Sequence, residues 1–208
     1  KDTYSREDLI IASKTPALEA DKIRKEVESS LKRMQTDYVD LYYLHAPPED
    51  REVMERVLDE FLQLKDEGKI KAIGASIKGP DVNEKIVNLC KQYIQTEKVD
   101  VLQVIFSIFR QKNREMLEMA QEYDVGIVGR TVLESGFLTG KYKPGHRFSE
   151  NDHRHRWGQE KLDNILNYVQ ELEEKVVKAP YEKLSEVAIR FALEEEGINS
   201  IIVGAKNE

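Results

Sequence analysis

The sequence has 208 residues, of which 40% are hydrophobic and 34% are charged. This balance excludes a disordered chain and predicts one globular domain, residues 1–208, that is long enough to bury a substantial core. The formal net charge of −7 argues against a general nucleic-acid binder and against a protein that binds anionic membranes.

The cysteine content and the absence of long apolar runs restrict the compartment. Cys90 is the single cysteine, so neither an internal disulfide nor a cysteine metal cluster can form within the chain. Residues 1–8 are polar or charged, and no apolar run reaches the roughly 18 to 20 residues that a membrane span requires. We therefore expect a cytoplasmic protein without a signal peptide or a membrane anchor.

Short β-rich runs alternate with segments of helical periodicity along the chain. The predicted strands are residues 9–13, 39–44, 70–75, 99–106, 126–128 and 198–203. The predicted helices are residues 21–34, 53–64, 82–94, 114–123, 159–178 and 181–196. Strands that are separated by helices imply βαβ crossovers and a parallel sheet whose strands are apolar on both faces. The predicted fold class is therefore α/β and barrel-like.

Two of the predicted strands end on a titratable side chain. Lys14 follows the first strand, and His45 follows the second. In a parallel α/β barrel the carboxyl ends of the strands carry the catalytic groups, so these two residues form a candidate catalytic pair. From these residues alone, a solvated lysine and a hydrogen-bonded core histidine are equally good interpretations.

Residues 133–158 form a long connection that is rich in Gly, Pro, His and Arg. Its histidines do not favour a metal site, because His153 and His155 would point to opposite sides of an extended chain and no zinc-type partner set lies nearby. Long connections inside compact domains are commonly functional. We interpret this one as a mobile loop that borders a cofactor or substrate cleft.

Several motifs resemble those of the aldo-keto reductase superfamily, and they occur in the order in which that family has them. The most specific is Thr-Asp-Tyr-Val-Asp-Leu-Tyr-Tyr-Leu-His at residues 36–45, which looks like the family's fourth strand, preceded by Glu-Ser-Ser-Leu-Lys-Arg at residues 28–33. Residues 69–76, 101–104, 133–142 and 200–206 resemble later family motifs. The resemblance implies a (β/α)8 TIM barrel, of which this chain supplies strands three to eight, and the reduction of aldehyde or ketone carbonyls by NADPH.

The resemblance also assigns catalytic roles. In this family a tyrosine donates the proton, a lysine that is paired with an aspartate lowers the pKa of that tyrosine, and a histidine holds the substrate oxygen. Lys14 and His45 match the lysine and the histidine. The aspartate and the tyrosine lie further upstream in the family, and Asp2 and Tyr4 lie too close to Lys14 to represent them. We therefore expect this sequence to be a fragment that lacks the first two barrel strands and the last helices.

Cofactor-binding residues follow from the same resemblance. Ser76 and Gln103 match residues that hold the nicotinamide carboxamide, although Ile77 stands where the family commonly has asparagine. Arg130 stands where many relatives stack an aromatic ring on the nicotinamide, and a guanidinium plane can also stack. The alternative interpretation of Arg130 is a surface salt bridge.

Two further segments are expected to bind phosphates. Leu133, Gly136 and Lys141 match the loop that closes over the pyrophosphate, where glycine permits close backbone approach and lysine supplies charge. Gly204 and Lys206 match the segment that contacts the adenosine 2′-phosphate. A lysine in that segment favours NADPH over NADH. The alternative interpretation of Lys206 is a solvated chain end.

The expected partner is a small-molecule carbonyl compound, with no nucleic acid and no membrane. The identity of the substrate, the physiological direction and the oligomeric state are not specified by these residues. The alternative function is that of a catalytically incomplete, nucleotide-binding or regulatory relative, because the expected proton donor is not among the residues of the chain.

Overall fold

The computed structural model describes residues 4–79 and 82–204. The strands in these ranges are β1 (Ala12–Thr15), β2 (Val39–His45), β3 (Ile70–Ser76), β4 (Val101–Ile105), β5 (Gly126–Arg130) and β6 (Ser200–Ile201). The α-helices are α1 (Ala20–Met34), α2 (Arg51–Asp66), α3 (Glu84–Ile94), α4 (Leu117–Glu122), α5 (Gln159–Val176) and α6 (Leu184–Leu193). Short 3₁₀ helices span Arg6–Asp8, Lys112–Met116, Glu134–Thr139 and His153–Trp157.

The strands form one sheet in chain order, from β1 to β6. The first four pair in parallel, with a helix between β1 and β2, between β2 and β3, and between β3 and β4. This is the βαβ arrangement that the alternating sequence pattern predicts, because parallel neighbours require a crossover. The prediction of an α/β fold is confirmed.

The chain divides into two compact units. The first unit comprises Lys1–Val104 and Lys112–Val128, and the second comprises Ile105–Gln111 and Gly129–Glu208. The boundaries between the units fall within β4, between Gln111 and Lys112, and within β5. The expectation of a single domain over residues 1–208 stays a prediction.

Buried apolar residues at helical spacing and residues that cap the helix ends support the helices of the first unit. Ile23 and Val27 in α1 are fully buried at four-residue spacing, and α1 ends on Gln35 in the left-handed conformation. The side chain of Asp50 accepts a hydrogen bond from the backbone N–H of Val53 and so caps α2. Asn83 caps α3 in the same way through the N–H of Ile86.

The second unit has its own core between α5, α6 and the segment that follows β5. Its buried members are Phe137, Leu138, Phe148, Leu162, Leu166, Val169, Leu184 and Ala188. Apolar residues of α5 repeat at helical spacing, so that one face of the helix is buried while the other carries charge.

The strands at the two ends of the sheet differ from their predicted bounds. β1 begins at Ala12 rather than at residue 9, and the side chain of Ile10 is 87% exposed. β6 is limited to Ser200–Ile201, with Ile202 and Val203 about half exposed. The expectation that these strands are buried on both faces is wrong for the described residues, because β1 and β6 each have only one neighbouring strand in the sheet order.

Two predicted helices are shorter in the structure. The helix expected at residues 114–123 begins as the 3₁₀ helix Lys112–Met116 and becomes α-helical only in α4. The helix expected at residues 181–196 is α6, which spans Leu184–Leu193.

In the part of the chain that the structure describes, no helix has the length and apolarity needed to cross a membrane.

Candidate active site

His45, Ser76 and Gln103 lie side by side across three strands. In the parallel register His45 of β2 pairs with Ser76 of β3, and Ser76 pairs with Gln103 of β4. Each residue lies at or near the carboxyl end of its strand. Strand neighbours that are in register point to the same face of a sheet, so the fold brings these three predicted site residues together.

Lys14 lies on the same face. It pairs with Tyr43 in the register of β1 and β2, and Tyr43 lies two residues before His45. Because side chains along a strand alternate with a period of two, Lys14, Tyr43 and His45 share one side of the sheet. The side chain of Lys14 is exposed, and that of His45 is half-buried.

Ser76 and Gln103 form a buried hydrogen-bonded pair. The Ser76 hydroxyl donates to Oε1 of Gln103 over 3.3 Å, and the two residues are 2% and 5% exposed. This bond occupies Oε1 of Gln103, so its amide nitrogen is the group that donates, and the Tyr43 oxygen is one of its acceptors. Ile77, which follows Ser76, is also buried, and its backbone N–H donates to the Gln103 carbonyl oxygen. Its apolar side chain cannot replace the asparagine amide that the family commonly has there.

Tyr43 is a member of this face that the sequence did not single out. It is 3% exposed, its side chain is hydrogen-bonded to Gln103, and burial raises its pKa to about 12. Its ring lies over Gly74, because a Cβ placed on Gly74 would be 2.3 Å from Cδ1 of Tyr43. The sequence signal was a tyrosine two residues before His45 combined with a glycine in the neighbouring strand.

Residues other than glycine with a left-handed backbone occur in two kinds of position, after helices and after the strands β2 and β5. Gln35, Glu97 and Asp124 have positive φ values just after helices, where such a conformation ends the helix. The others follow β2 and β5, and they are Ala46, Thr131, Glu134 and Ser135, with φ values of 60°, 64°, 47° and 55°. Strained residues of this second kind concentrate at functional sites. Ala46 follows His45 directly, and Thr131 follows Arg130 directly.

Arg130 ends β5 in the second unit and is half-buried. Its Nη1 donates to the Thr131 hydroxyl over 3.2 Å. Burial lowers the pKa of Arg130, and the nearby charge of Arg110 lowers it further. The structure therefore places this guanidinium in a partly desolvated position.

Glu134 connects two loops of the second unit. Its carboxylate accepts hydrogen bonds from Nε of Arg110 over 2.8 Å and from Nη2 of Arg110 over 2.7 Å, and it also accepts one from the Ser107 hydroxyl. The Glu134 side chain is 13% exposed and the Arg110 side chain 21% exposed. A bidentate pair with this little exposure fixes the loop after β4 to the loop after β5.

The predicted phosphate-binding residues line one cleft of about 600 Å³ in the second unit. Leu133, Gly136, Lys141 and Gly204 all contribute to its walls. A Cβ on Gly204 would meet no atom within 4 Å, so the cleft is open at that position. Lys206, the predicted contact of a 2′-phosphate, lies outside the described residues.

Further residues of the long connection line the same cleft, while its role beside a cofactor or substrate stays a prediction. Asp152, His153 and Arg154 are among the lining residues. Arg154 is only 6% exposed and is packed between the rings of Tyr142 and Phe148, at 4.6 and 4.2 Å from their centroids. A buried arginine was not foreseen in a loop expected to be mobile, and only the short spacing from Asp152 to Arg154 hinted at it.

Each unit offers groups of a kind that a nicotinamide dinucleotide requires. The Ser76 and Gln103 pair offers hydrogen-bonding groups suited to a carboxamide, and the cleft separately offers Lys141 with glycine backbone suited to a phosphate group.

Comparison with known proteins agrees with this geometry. The aldo-keto reductase YhdN of Bacillus subtilis is 30% identical over 190 residues, covering 89% of this chain and 55% of its own length. The NADH-specific methylglyoxal reductase of Escherichia coli is 30% identical over 198 residues, with coverages of 90% and 56%. The chain thus spans about half the length of these curated relatives.

A solved structure shows the same fold. The holo form of the aldo-keto reductase AKR11C1 from Bacillus halodurans superposes with a TM-score of 0.76 at 25% identity, covering 99% of this chain and 64% of that one. The prediction of a TIM barrel to which this chain contributes part of the strands is confirmed. The Aldo/keto reductase family profile matches residues 1–208. The chain belongs to the aldo/keto reductase family.

Proposed function

We propose that the natural-length protein that contains this chain reduces aldehyde or ketone carbonyls with hydride from NADPH. The single observation that carries the proposal is the row of His45, Ser76 and Gln103 across three strands, with Lys14 on the same face. The relatives named above support the reductase activity, since both are described as reductases. One of them is described as NADH-specific, so the choice of NADPH rests on the proposed role of Lys206.

Each of these four residues has a different proposed role in the reaction. Ser76 and Gln103 would hold the carboxamide of the cofactor, which when bound supplies the hydride. His45 would donate a hydrogen bond to the carbonyl oxygen and so stabilise negative charge that develops there. Lys14 would lower the pKa of the tyrosine that delivers the proton.

Tyr43 does not fit the role of that proton donor. It lies beside Lys14 in the strand register, yet burial raises its pKa to about 12, whereas an activated donor needs a lowered pKa. The proposal instead takes the proton-donating tyrosine from the family's motif upstream of Lys14, which no residues of this sequence match. This requirement favours, as a second candidate function for the chain by itself, a nucleotide-binding relative without turnover.

A fluorescence titration of the natural-length protein with NADPH, and with NADH as the comparison, tests the cofactor assignment. Saturable binding that is tighter for NADPH is the expected result. An equal or greater affinity for NADH would contradict the NADPH preference, and absence of saturation with both would contradict the function. Arg130, Leu133, Gly136, Lys141, Gly204 and Lys206 are the proposed cofactor contacts besides the carboxamide pair.

Replacement of Lys14 separates the two candidate functions. In Lys14→Met we expect carbonyl reduction to fall by at least about a hundredfold, since proton transfer commonly contributes that much, while the affinity for NADPH stays unchanged. Lys22→Met, at an exposed position in α1, is the matched control. Steady-state turnover with a small aldehyde such as methylglyoxal and the NADPH titration are the two readouts. Unchanged turnover in Lys14→Met would overturn the catalytic role, and a wild-type protein that binds NADPH without turnover would favour the second function.

A further inference from the structure

The turn that follows β5 contains three successive residues in the left-handed region. Glu134, Ser135 and Gly136 have φ values of 47°, 55° and 90°. Only the third of them is a glycine, so the first two adopt a conformation that is costly for residues with a side chain. A turn of this kind keeps its shape only when surrounding groups hold it.

One end of the turn is held by the Glu134 carboxylate through its bidentate bond with Arg110. The other end is held by Arg154, whose Nη1 donates to the Ser135 carbonyl oxygen over 3.0 Å. Arg154 also packs closely on the turn, since a Cβ on Gly136 would lie 3.4 Å from its Nη1. The two arginines therefore fix adjacent residues from separate loops.

Two further N–H groups of Arg154 pair within its own loop. Its Nε and Nη2 donate to the two carboxylate oxygens of Asp152 over 2.8 and 2.6 Å. This pairing keeps the pKa of Asp152 well below its ordinary range. The rings of Tyr142 and Phe148 flank the guanidinium, and Arg154 is only 6% exposed. Arg154 is thus placed to hold backbone rather than to bind an anion directly.

The turn forms part of the cleft wall, where Ser135 and Gly136 line the same space as Lys141. We propose that Arg154 is a positioning residue for the dinucleotide: by fixing the Ser135 carbonyl it keeps the backbone of residues 134–136 preformed for the diphosphate. This inference rests on the proposed cofactor-binding function. The turn then holds its binding conformation before the ligand arrives. Because the backbone does not have to be ordered on binding, the cofactor binds more tightly.

The test compares two ligands that differ in the diphosphate. NADPH carries a diphosphate, whereas adenosine 2′-monophosphate carries only a phosphomonoester. In Arg154→Ala we expect the Kd for NADPH to rise about tenfold, the factor that corresponds to about 1.4 kcal/mol. The Kd for adenosine 2′-monophosphate should stay the same. Both constants are measured by equilibrium titration of the natural-length protein, independently of turnover.

Two further variants control for folding and for charge. Arg156→Ala removes an exposed arginine of the same 3₁₀ helix and should leave both constants unchanged. Arg154→Lys keeps the charge but not the planar fork, so it should recover only part of the loss, with a rise of about threefold in the Kd for NADPH. If Arg154→Ala does not fold, as judged by Trp157 fluorescence and a thermal melt, the lysine variant carries the test.

An unchanged NADPH affinity in the folded Arg154 variants would overturn the proposal. A loss that is equal for NADPH and adenosine 2′-monophosphate would also overturn it, because a general structural defect would not distinguish the diphosphate. Failure of the wild-type protein to bind NADPH is a different result, since it overturns the proposed function itself.

Discussion

Gly74 and Tyr43 form a contact at the scale of single residues that a methyl group would destroy. A Cβ on Gly74 would lie 2.3 Å from Cδ1 and 2.6 Å from Cε1 of Tyr43. The ring cannot easily move away, because Tyr43 is buried and its side chain is hydrogen-bonded to Gln103. We therefore expect Gly74→Ala to lower the free energy of unfolding by about 1–3 kcal/mol, the usual range for overpacking.

Chemical denaturation measures this change directly. Gly204→Ala is the control, since a Cβ there meets nothing within 4 Å, and it should alter stability by no more than about 0.5 kcal/mol. Because displacement of Tyr43 would also disturb Gln103, the NADPH affinity of Gly74→Ala should fall as well. A Gly74→Ala protein as stable as the Gly204→Ala protein would show that the ring does not occupy this position.

At the scale of elements, α3 contains a thiol that the fold makes unreactive. Cys90 is fully buried, and burial raises its pKa to about 12. Since the thiolate is the reactive form, the native protein should not react with 5,5′-dithiobis(2-nitrobenzoate) at pH 8, whereas the unfolded protein should react at once. The single cysteine makes this a specific probe of the first unit.

A matched variant places a thiol on the other face of the same helix. Asn88 is exposed, so Asn88→Cys in a Cys90→Ala background should react rapidly while the protein is folded. Rapid reaction of the wild-type protein under native conditions would contradict the burial of this face of α3. The helical periodicity of residues 82–94 had placed Cys90 on a helix, and the structure shows which face is buried.

The elements also show where sequence patterns reach their limit. Residues 9–13 read as a buried strand because they are rich in leucine and isoleucine, but the ladder starts only where the Ile11 carbonyl accepts from Asp40 and Leu41. Strand bounds are set by hydrogen bonds to a neighbour, which is remote in sequence. Apolar composition by itself therefore placed β1 too early.

At the scale of the whole molecule, the chain passes between the two compact units three times, within β4, between Gln111 and Lys112, and within β5. Each unit is therefore built from two separate stretches of the chain, and neither is one continuous piece. We expect a single unfolding transition in urea. Two probes report on it separately, because Cys90 lies in the first unit and Trp157, the single tryptophan, lies in the second.

The measurement compares the midpoint of Trp157 fluorescence with the midpoint of Cys90 labelling. Coincident midpoints are the expected outcome, since agreement between independent probes is a test of two-state behaviour. Separated midpoints would show that the two units unfold independently.

The sequence by itself determined the order of strands and helices and the α/β class, and it placed Lys14 and His45 at strand ends. These features follow from local periodicity and from the rule that parallel strands bring their carboxyl ends to one edge. Ser76 and Gln103 were predicted from the resemblance to the family. The tertiary structure alone decided that Tyr43 lies over Gly74, that Arg154 is buried, and that Arg110 holds Glu134. Each of these contacts joins residues 19 to 31 positions apart, or depends on rings around a guanidinium, and no local pattern encodes such distances.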